Sequence, residues 1–258
     1  MIDDNVLRLD FLKRVLIGSV GLQVQSEFWR TKRWPLPSLM KYLISQPIPY
    51  ELEYGKNWPE NGHTMIGLKR LDNLHESLDW INLNNIEGDL LEAGVWRGGA
   101  CIFMKMYCKL YNLKKKVYVC DSFEGIPEVD TAKCPQDTGL ESWSGIVAVS
   151  KEAVKDTFRL YDALDENIVF IPGWFRDSLP NVPVNKLSLL RLDGDLYSST
   201  MDILIPLYPK VVENGIVIVD DYGAVKQCAN AIMDYLNKNH ISVDMQKIDD
   251  SGIYWRKR

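Results

Sequence analysis

The stretch from Asp89 to Gly99, DLLEAGVWRGG, is the part of the sequence that decides the fold. It begins as a short apolar run typical of a strand and passes through glycines directly into a helical pattern, predicted over Gly98–Leu110. A glycine-bearing turn of this kind lets a ligand approach the backbone at the start of a helix. It lacks the G-x-G-x-x-G spacing of a dinucleotide site, and α/β folds need tight turns for purely structural reasons as well, so the turn alone decides nothing about function.

From Gly88 onward, short β-rich runs alternate with longer amphipathic stretches. This alternation predicts a parallel sheet covered by helices, and the last two runs predict a closing antiparallel hairpin. The predicted strands are Asp89–Gly94, Val117–Asp121, Ile168–Gly173, Leu187–Asp193, Ile216–Asp221, Ser242–Ile248 and Ile253–Arg256. The predicted helices that follow the first are Lys151–Tyr161, Ser199–Val212 and Ala224–Asn237. Asn214-Gly215 is expected to stop the helix that begins at Ser199, although Pro206 and Pro209 could kink or shorten it.

The N-terminal part of the chain has a different character, because it is rich in aromatic residues and proline. Helical periodicity in the leucines from Leu68 to Leu78 predicts helices there, with these leucines in the core. We therefore predict a helical lid or acceptor region over residues 1–80 and the α/β domain over residues 81–258. His63 lies in a polar stretch and is predicted to be solvated. Phe123–Gly145 has no clear apolar period, and a loop that long is often functional.

Composition excludes several classes of protein. The 258 residues carry 30 basic and 35 acidic side chains, a net charge of −5, which predicts no nucleic-acid partner. The longest early apolar run, Val15–Val24, is too short for a membrane span, and the acidic start does not match a secretory signal, so we expect a cytoplasmic protein. Five cysteines without a C-x-x-C pair and three scattered histidines favour neither a disulfide framework nor a zinc site, so any metal should be held by oxygen.

Acidic residues lie at or shortly after the ends of the first three predicted strands. Glu92 lies in an otherwise apolar strand end, where it would repel a pyrophosphate and attract a cationic or hydroxyl-bearing ligand. Asp121 stands where doubly wound folds bind the hydroxyls of a ribose, although an isolated aspartate after a strand more often caps a turn. Asp177 could contact a ligand or equally cap a short helix.

Two further strands end in pairs of aspartates, Asp193 with Asp195 and Asp220 with Asp221. The carboxyl ends of parallel strands form the ligand crevice of an open sheet, so the four side chains should converge. Their mutual repulsion would raise their pKa values unless a cation lies among them, and Mg²⁺ prefers oxygen ligands. The alternative is that these residues cap loops and never meet.

Five motifs in this order resemble the macrocin and mycinamicin O-methyltransferases. They are LEAGVWRGG at 91–99, DSFEGIP at 121–127, GWFRDSLP at 173–180, LDGDLYSS at 192–199 and VDDYG at 219–223, with TMIG upstream at 64–67. The resemblance covers roughly three quarters of the chain, from about residue 60, and an ordered set of motifs is far more specific than any one of them.

The resemblance implies a Rossmann-like class I methyltransferase fold, with a mostly parallel seven-stranded sheet, helices on both faces and an N-terminal helical lid. It also implies transfer of a methyl group from S-adenosylmethionine to a sugar hydroxyl, with Mg²⁺. At the cofactor it places Thr64, Met65, Glu92, Gly94, Asp121, Ser122 and Asp177. At the metal it places Asp193, Asp220 and Asp221, and Asp195 would be the general base.

The acceptor implied is a glycosylated natural product or a nucleotide-activated or surface-polysaccharide sugar, and a homo-oligomer is left open. A catechol-type metal-dependent methyltransferase would share the acids and the cofactor, so only an acceptor screen separates it. An NAD-dependent oxidoreductase would require the dinucleotide glycine spacing that is missing here. A non-catalytic nucleotide-sugar binding module would leave the four aspartates unexplained.

Overall fold

The computed structural model describes residues 3–258, with one seven-stranded sheet at the centre. Its strands are β1 (Asp89–Ala93), β2 (Val117–Asp121), β3 (Ile168–Pro172), β4 (Leu187–Leu192), β5 (Val211–Val219), β6 (Gln246–Lys247) and β7 (Ile253–Arg256). They are ordered β3-β2-β1-β4-β5-β7-β6. The β5–β7 and β7–β6 pairs are antiparallel and the other pairs are parallel, which confirms the predicted sheet.

The strand order reverses between β1 and β4. From β1 the chain proceeds to β2 and β3 on one side of the sheet, and it then crosses to β4 and β5 on the other side. In an open parallel sheet, the ligand crevice forms at this position, outside the carboxyl ends of the strands. Both β1, which ends at Ala93, and β4, which ends just before Asp193, have their carboxyl ends at this crevice.

Helices cover both faces of the sheet, as predicted. They are α1 (Asp4–Leu16), α2 (Leu22–Thr31), α3 (Pro37–Ser45), α4 (Tyr50–Tyr54), α5 (Gly67–Leu83), α6 (Gly99–Leu110), α7 (Lys151–Leu160), α8 (Phe175–Ser178), α9 (Tyr197–Leu207) and α10 (Lys226–Lys238). Alternate strand residues point to opposite faces, so Leu90 joins a core with α1, α5, α6 and α7, whereas Leu91 joins a core with α9 and α10.

The prediction for the chain between α9 and β5 is wrong in its boundaries. The helix expected over Ser199–Val212 ends at Leu207, a short 3₁₀ turn follows, and β5 begins at Val211. Pro206 and Pro209 lack the N–H groups that a longer α-helix needs. The expected stop at Asn214-Gly215 instead lies inside β5. The hairpin is correctly placed, but its first strand is only Gln246–Lys247.

The N-terminal region is helical, as the sequence predicts. The division at residue 80 stays a prediction, and α5 crosses it, running from Gly67 to Leu83. Leucines 71, 74 and 78 of α5 are buried, as expected. Within residues 3–258, no helix combines the length and the apolar character that crossing a bilayer requires.

Candidate active site

Two glycines in the turn after β1 allow a close approach of the backbone. Gly94 has a φ of +90°, and a Cβ at this position would overlap the carbonyl oxygen of Asp193. A Cβ on Gly99 would overlap the carbonyl oxygen of His63, which accepts the Gly99 N–H at 2.9 Å. The glycines therefore bring the end of β4 and the segment before α5 against the start of α6.

A cavity of about 1250 Å³ opens at the carboxyl ends of the strands, where the order reverses. The predicted site residues that line it are Thr64, Met65, Glu92, Gly94, Asp121, Ser122, Asp193, Asp195, Asp220 and Asp221. Asp177 lies outside this lining, with 68% of its side chain exposed and its carboxylate paired with Arg176. The cavity thus unites the predicted cofactor and metal residues, with Asp177 as the exception.

Asp121 at the end of β2 fixes the geometry of the glycine turn. One of its oxygens accepts the Val95 N–H at 2.8 Å, and the other accepts the Phe123 N–H at 2.7 Å. Burial raises the pKa of this carboxyl above its usual value, and the backbone donors oppose that effect. Each oxygen keeps a second lone pair for a ligand hydroxyl. The Ser122 hydroxyl donates to the carbonyl oxygen of Gly125 at 2.9 Å and so shapes the next turn.

Glu92 and Arg191 form a buried ion pair across β1 and β4. The two residues are directly paired in the sheet, and Nη1 of Arg191 lies 2.6 Å from a Glu92 oxygen. The Cys101 thiol of α6 donates to the other oxygen at 2.8 Å. Burial raises the pKa of Glu92 to about 7, although the charge of Arg191 opposes the shift. The Glu92 carboxyl therefore lines the cavity with both of its oxygens already bound by other side chains.

Asp220 lies between two arginines on the same face of the sheet. Nη2 of Arg191 donates to one of its oxygens, and Nη1 of Arg70 from α5 donates to the other. Arg191 also lies 2.8 Å from an oxygen of Asp193. Asp220, which was predicted to be a metal ligand, therefore has a guanidinium group bound to each of its two carboxylate oxygens, and these contacts fix its orientation.

Asp193, Asp195 and Asp221 form a three-acid group, in which one carboxylate oxygen from each lies within 4.8 Å of the others. The Asp195 N–H donates to an Asp221 oxygen at 3.3 Å, and a φ of +52° turns Asp195 out of the strand direction. Burial and neighbouring carboxylates raise the pKa of Asp193 to about 6 and that of Asp195 to about 7, and they raise the pKa of Asp221 strongly.

These donors fit a hard divalent cation. All of them are carboxylate oxygens, they are close together, and their repulsion would be relieved by a positive charge. The predicted ligand set included Asp220 and left Asp195 as the base, whereas distance alone groups Asp195 with Asp193 and Asp221. Both assignments use Asp193 and Asp221, and the third ligand stays a prediction.

The loop between β2 and α7, residues 122–150, also lines the cavity. It is anchored at Asp137, whose carboxylate accepts the backbone N–H groups of Tyr197 at 2.6 Å and Ser198 at 3.2 Å. These two N–H groups begin α9, which starts two residues after Asp195. The long loop predicted from Phe123 onward is therefore part of the cavity wall.

Sequence reasoning assigned no role to Arg191 or Arg70, which hold the acids in place. A signal for Arg191 existed, because an arginine inside the apolar run Leu189–Leu192 must find anionic partners when it is buried. Arg70 gave no such signal, since it sits beside the buried leucines on an amphipathic helix whose other faces are charged. His63 was predicted to be solvated, but its ring packs against Trp29 and Tyr161.

The fold is of the Rossmann-like class, with an acid-lined cavity at the strand reversal, and the O-methyltransferase NovP has the same fold. A family model described as Macrocin-O-methyltransferase (TylF) matches residues 5–257. The chain belongs to the TylF macrocin-O-methyltransferase family, and it is an O-methyltransferase. Neither the oxidoreductase nor the binding module that the sequence left open agrees with this membership.

Two similar proteins cover almost the whole chain, and a third covers about four fifths of it. The demethyldecarbamoylnovobiocin O-methyltransferase of Streptomyces niveus is 46% identical over 260 residues, 98% of this chain and 94% of that protein. The 8-demethyl-8-(2,3-dimethoxy-alpha-L-rhamnosyl)-tetracenomycin-C 4'-O-methyltransferase of Streptomyces olivaceus is 43% identical over 205 residues, 78% of each. The solved structure of the O-methyltransferase NovP has a TM-score of 0.83 at 40% identity, covering 98% of this chain and 99% of that one.

Proposed function

We propose that this enzyme transfers a methyl group from S-adenosylmethionine to a sugar hydroxyl, with Mg²⁺ held by Asp193, Asp220 and Asp221. The observation that carries the proposal is the meeting of four strand-end aspartates in one cavity with Asp121. The cavity exceeds the 300–1,000 Å³ or so of a typical small-molecule site, which supports the simultaneous binding of cofactor and acceptor. Asp220 can ligate while the arginines hold it, because each carboxylate oxygen has two lone pairs.

Asp195 is the proposed general base. A sugar hydroxyl is too weak an acid for a lone carboxylate, and Mg²⁺ when bound would lower the pKa of a hydroxyl in contact with it. Asp195 then accepts the proton, because its carboxyl lies beside Asp193 and Asp221, and burial and the charges of Asp193 and Asp220 raise its pKa to about 7. The remaining task of the chain is alignment, and well-oriented reactants can gain ~7–11 kcal/mol of the barrier.

The proposed cofactor contacts are Thr64, Met65, Glu92, Gly94, Asp121, Ser122 and, at the margin, Asp177. The N-terminal region, residues 1–80, would act as the lid, because its segment before α5 lines the cavity. We also place the enzyme in the cytoplasm, and the five free cysteines are typical of a reducing compartment.

A sugar acceptor is supported by the rhamnosyl group in the name of the Streptomyces olivaceus relative. Aromatic side chains of the kind that stack on sugar rings also line the cavity, among them Trp58, Trp143 and Trp174. An acceptor screen tests the proposal: methyl transfer is measured with glycosides and their aglycones, nucleotide sugars and catechols, each with Mg²⁺ and with excess chelator. Transfer to catechols alone, or full activity in chelator, would contradict it.

Asp121→Ala should weaken S-adenosylmethionine binding by ~1–3 kcal/mol, the range for a lost charge-assisted hydrogen bond. Titration calorimetry measures the change directly. Asp156→Ala is the comparison, and because the Asp156 side chain is exposed on α7 and lies outside the cavity lining we expect less than about 0.5 kcal/mol. Equal affinity for the wild type and Asp121→Ala would remove Asp121 from the cofactor site.

A further inference from the structure

Arg70 connects three separate parts of the molecule through one buried guanidinium group. Nη2 donates to the carbonyl oxygen of Tyr54 at 3.3 Å, at the end of α4. Nη1 donates to Asp220 after β5, and Nε lies 3.2 Å from an oxygen of Asp249 in the turn before β7. A planar fork of donors can serve several acceptors in fixed directions, which a lysine ammonium cannot do.

The contact with Tyr54 lies at the neck of a loop. Residues 55–66, here called the cover segment, leave α4 at Gly55 and return to α5 at Gly67. Both glycines have positive φ, +61° and +73°, and a Cβ on Gly67 would overlap the backbone of Gly55. Because its ends meet, the cover segment is a closed surface loop, and Arg70 lies against its neck. The cover segment carries the proposed cofactor contacts Thr64 and Met65.

The contact with Asp220 lies at the acid site. Arg191 divides its donors among Glu92, Asp193 and Asp220, whereas Arg70 holds the second oxygen of Asp220. A carboxylate held by donors on both oxygens keeps one orientation. Without Arg70, Asp220 would depend on Arg191 alone and could rotate about its χ2 angle.

We propose that Arg70 is a positioning residue that holds the Asp220 carboxylate in its ligating orientation and, with the same guanidinium group, closes the neck of the cover segment. This role bears on catalysis only through the proposed function, in which Asp220 is a Mg²⁺ ligand and the cover segment contacts the cofactor. Order in the cover segment and affinity for Mg²⁺ then depend on a single side chain.

The neck role is tested by hydrogen exchange of the protein without ligands. Arg70→Met should raise the exchange rate of amides in the cover segment by about tenfold or more, because local opening becomes easier. Lys69→Met is the matched control: Lys69 also joins α5 to α4, with its ammonium 3.9 Å from Glu53 and over the Tyr54 ring, yet it is half exposed. It should change exchange by less than about twofold, as expected for a surface pair.

The Asp220 role is tested by titration calorimetry with MgCl₂. Arg70→Met should weaken Mg²⁺ binding by about tenfold, and Arg70→Lys by less, because it restores charge without the fork. In an Asp220→Asn background, Arg70→Met should weaken Mg²⁺ binding by less than about twofold further, while still raising exchange in the cover segment. If Arg70 only stabilised the fold, its loss would weaken Mg²⁺ binding equally with and without the Asp220→Asn substitution.

Unchanged exchange in Arg70→Met, or an equal rise in Lys69→Met, would overturn the neck role. Equal losses of Mg²⁺ affinity with and without Asp220→Asn would overturn the Asp220 role. If Arg70→Met exchanges faster throughout the sheet, Arg70→Lys decides: a rise confined to the cover segment supports the proposal and a uniform rise overturns it. If the wild-type protein binds no Mg²⁺, both the proposed function and the Asp220 role are contradicted. The neck role is still decided by hydrogen exchange, because that measurement uses the protein without ligands.

Discussion

Asp220 and Asp221 are neighbours in the chain but meet different partners. Successive strand residues point to opposite faces, so Asp220 continues the face of Arg191 and α5, whereas Asp221 turns toward Asp195. One strand end therefore supplies both an arginine-held carboxylate and a member of the three-acid group. The two neighbouring carboxylates thus differ in orientation just beyond the end of β5 at Val219, and two arginines hold the first of them.

The division of roles between Asp195 and Asp193 can be measured by substitution. Asp195→Asn keeps size and polarity but cannot accept a proton, so kcat should fall by ~10²–10⁴-fold while Mg²⁺ and S-adenosylmethionine affinities change little. Asp193→Asn should weaken Mg²⁺ binding, and high Mg²⁺ should restore part of its activity. Steady-state rates measured at a series of Mg²⁺ concentrations, together with calorimetry of Mg²⁺ binding, distinguish the base Asp195 from the ligand Asp193.

The same calorimetry, extended to Asp220→Asn, identifies the third Mg²⁺ ligand. Asp220→Asn should lower Mg²⁺ affinity, as Asp193→Asn does. If instead Mg²⁺ affinity falls in Asp195→Asn and is unchanged in Asp220→Asn, the three-acid group is the ligand set and Asp195 is not the base.

At the scale of elements, α9 begins without a capping side chain of its own, because its N-cap residue is Leu196. The cap comes from Asp137, some sixty residues earlier in the chain, where a buried carboxylate accepts two N–H groups and complements the helix dipole. The loop over residues 122–150 and the start of α9 therefore form one wall of the cavity.

Asp137→Ala should lower the free energy of unfolding by about 1–2 kcal/mol, the range for a lost cap, and should increase proteolysis within residues 122–150. Asp3→Ala is the matched control, because Asp3 caps α1 at the exposed N-terminal end by accepting the Asn5 N–H at 3.0 Å. Denaturant unfolding and limited proteolysis measure the two effects. Loop cleavage that is equal in the two variants would contradict the anchoring role.

The sequence predicts what depends on neighbours along the chain. Apolar runs and glycine turns located all seven strands and the strand-end acids, since these patterns reflect local burial and backbone freedom. The partners of Arg70 and Asp137 could not be predicted, because each joins segments far apart in the chain. The end of α9 was misjudged because proline and Asn-Gly gave competing stop signals, and the prolines prevailed.

At the scale of the molecule, the N-terminal helices and the sheet share one core, in which Phe11 of α1 and Phe28 of α2 pack in the same cluster as Leu90 of β1. His63 lies at this junction. Its Nδ1 is 2.8 Å from the Tyr161 hydroxyl, and Trp29 packs against its ring. Burial, with a smaller effect of the Arg97 charge, lowers the pKa of His63 to about 4.

Stability should therefore fall as the pH drops from about 6.5 toward 4. Above the unfolded pKa of about 6.5 both states are neutral at His63, and below it the unfolded chain takes up a proton that the native state excludes. Between pH 7.5 and pH 5 the wild type should lose about 2 kcal/mol more than His63→Gln in urea unfolding. Parallel stability curves for the two proteins would show that His63 is as free to protonate in the native state as in the unfolded one.

The closed neck between Gly55 and Gly67 has a consequence for the divergence of acceptor choice. Because the ends of the cover segment are joined by backbone contact, residues inserted between them would not displace α4 or α5. Loop-closure entropy rises slowly with length, by only about 0.6 kcal/mol for each doubling. Evolution can therefore lengthen or rewrite this part of the cavity wall, including Trp58, at little expense to the core. A new acceptor can be accommodated here while the strand-end acids stay where they are.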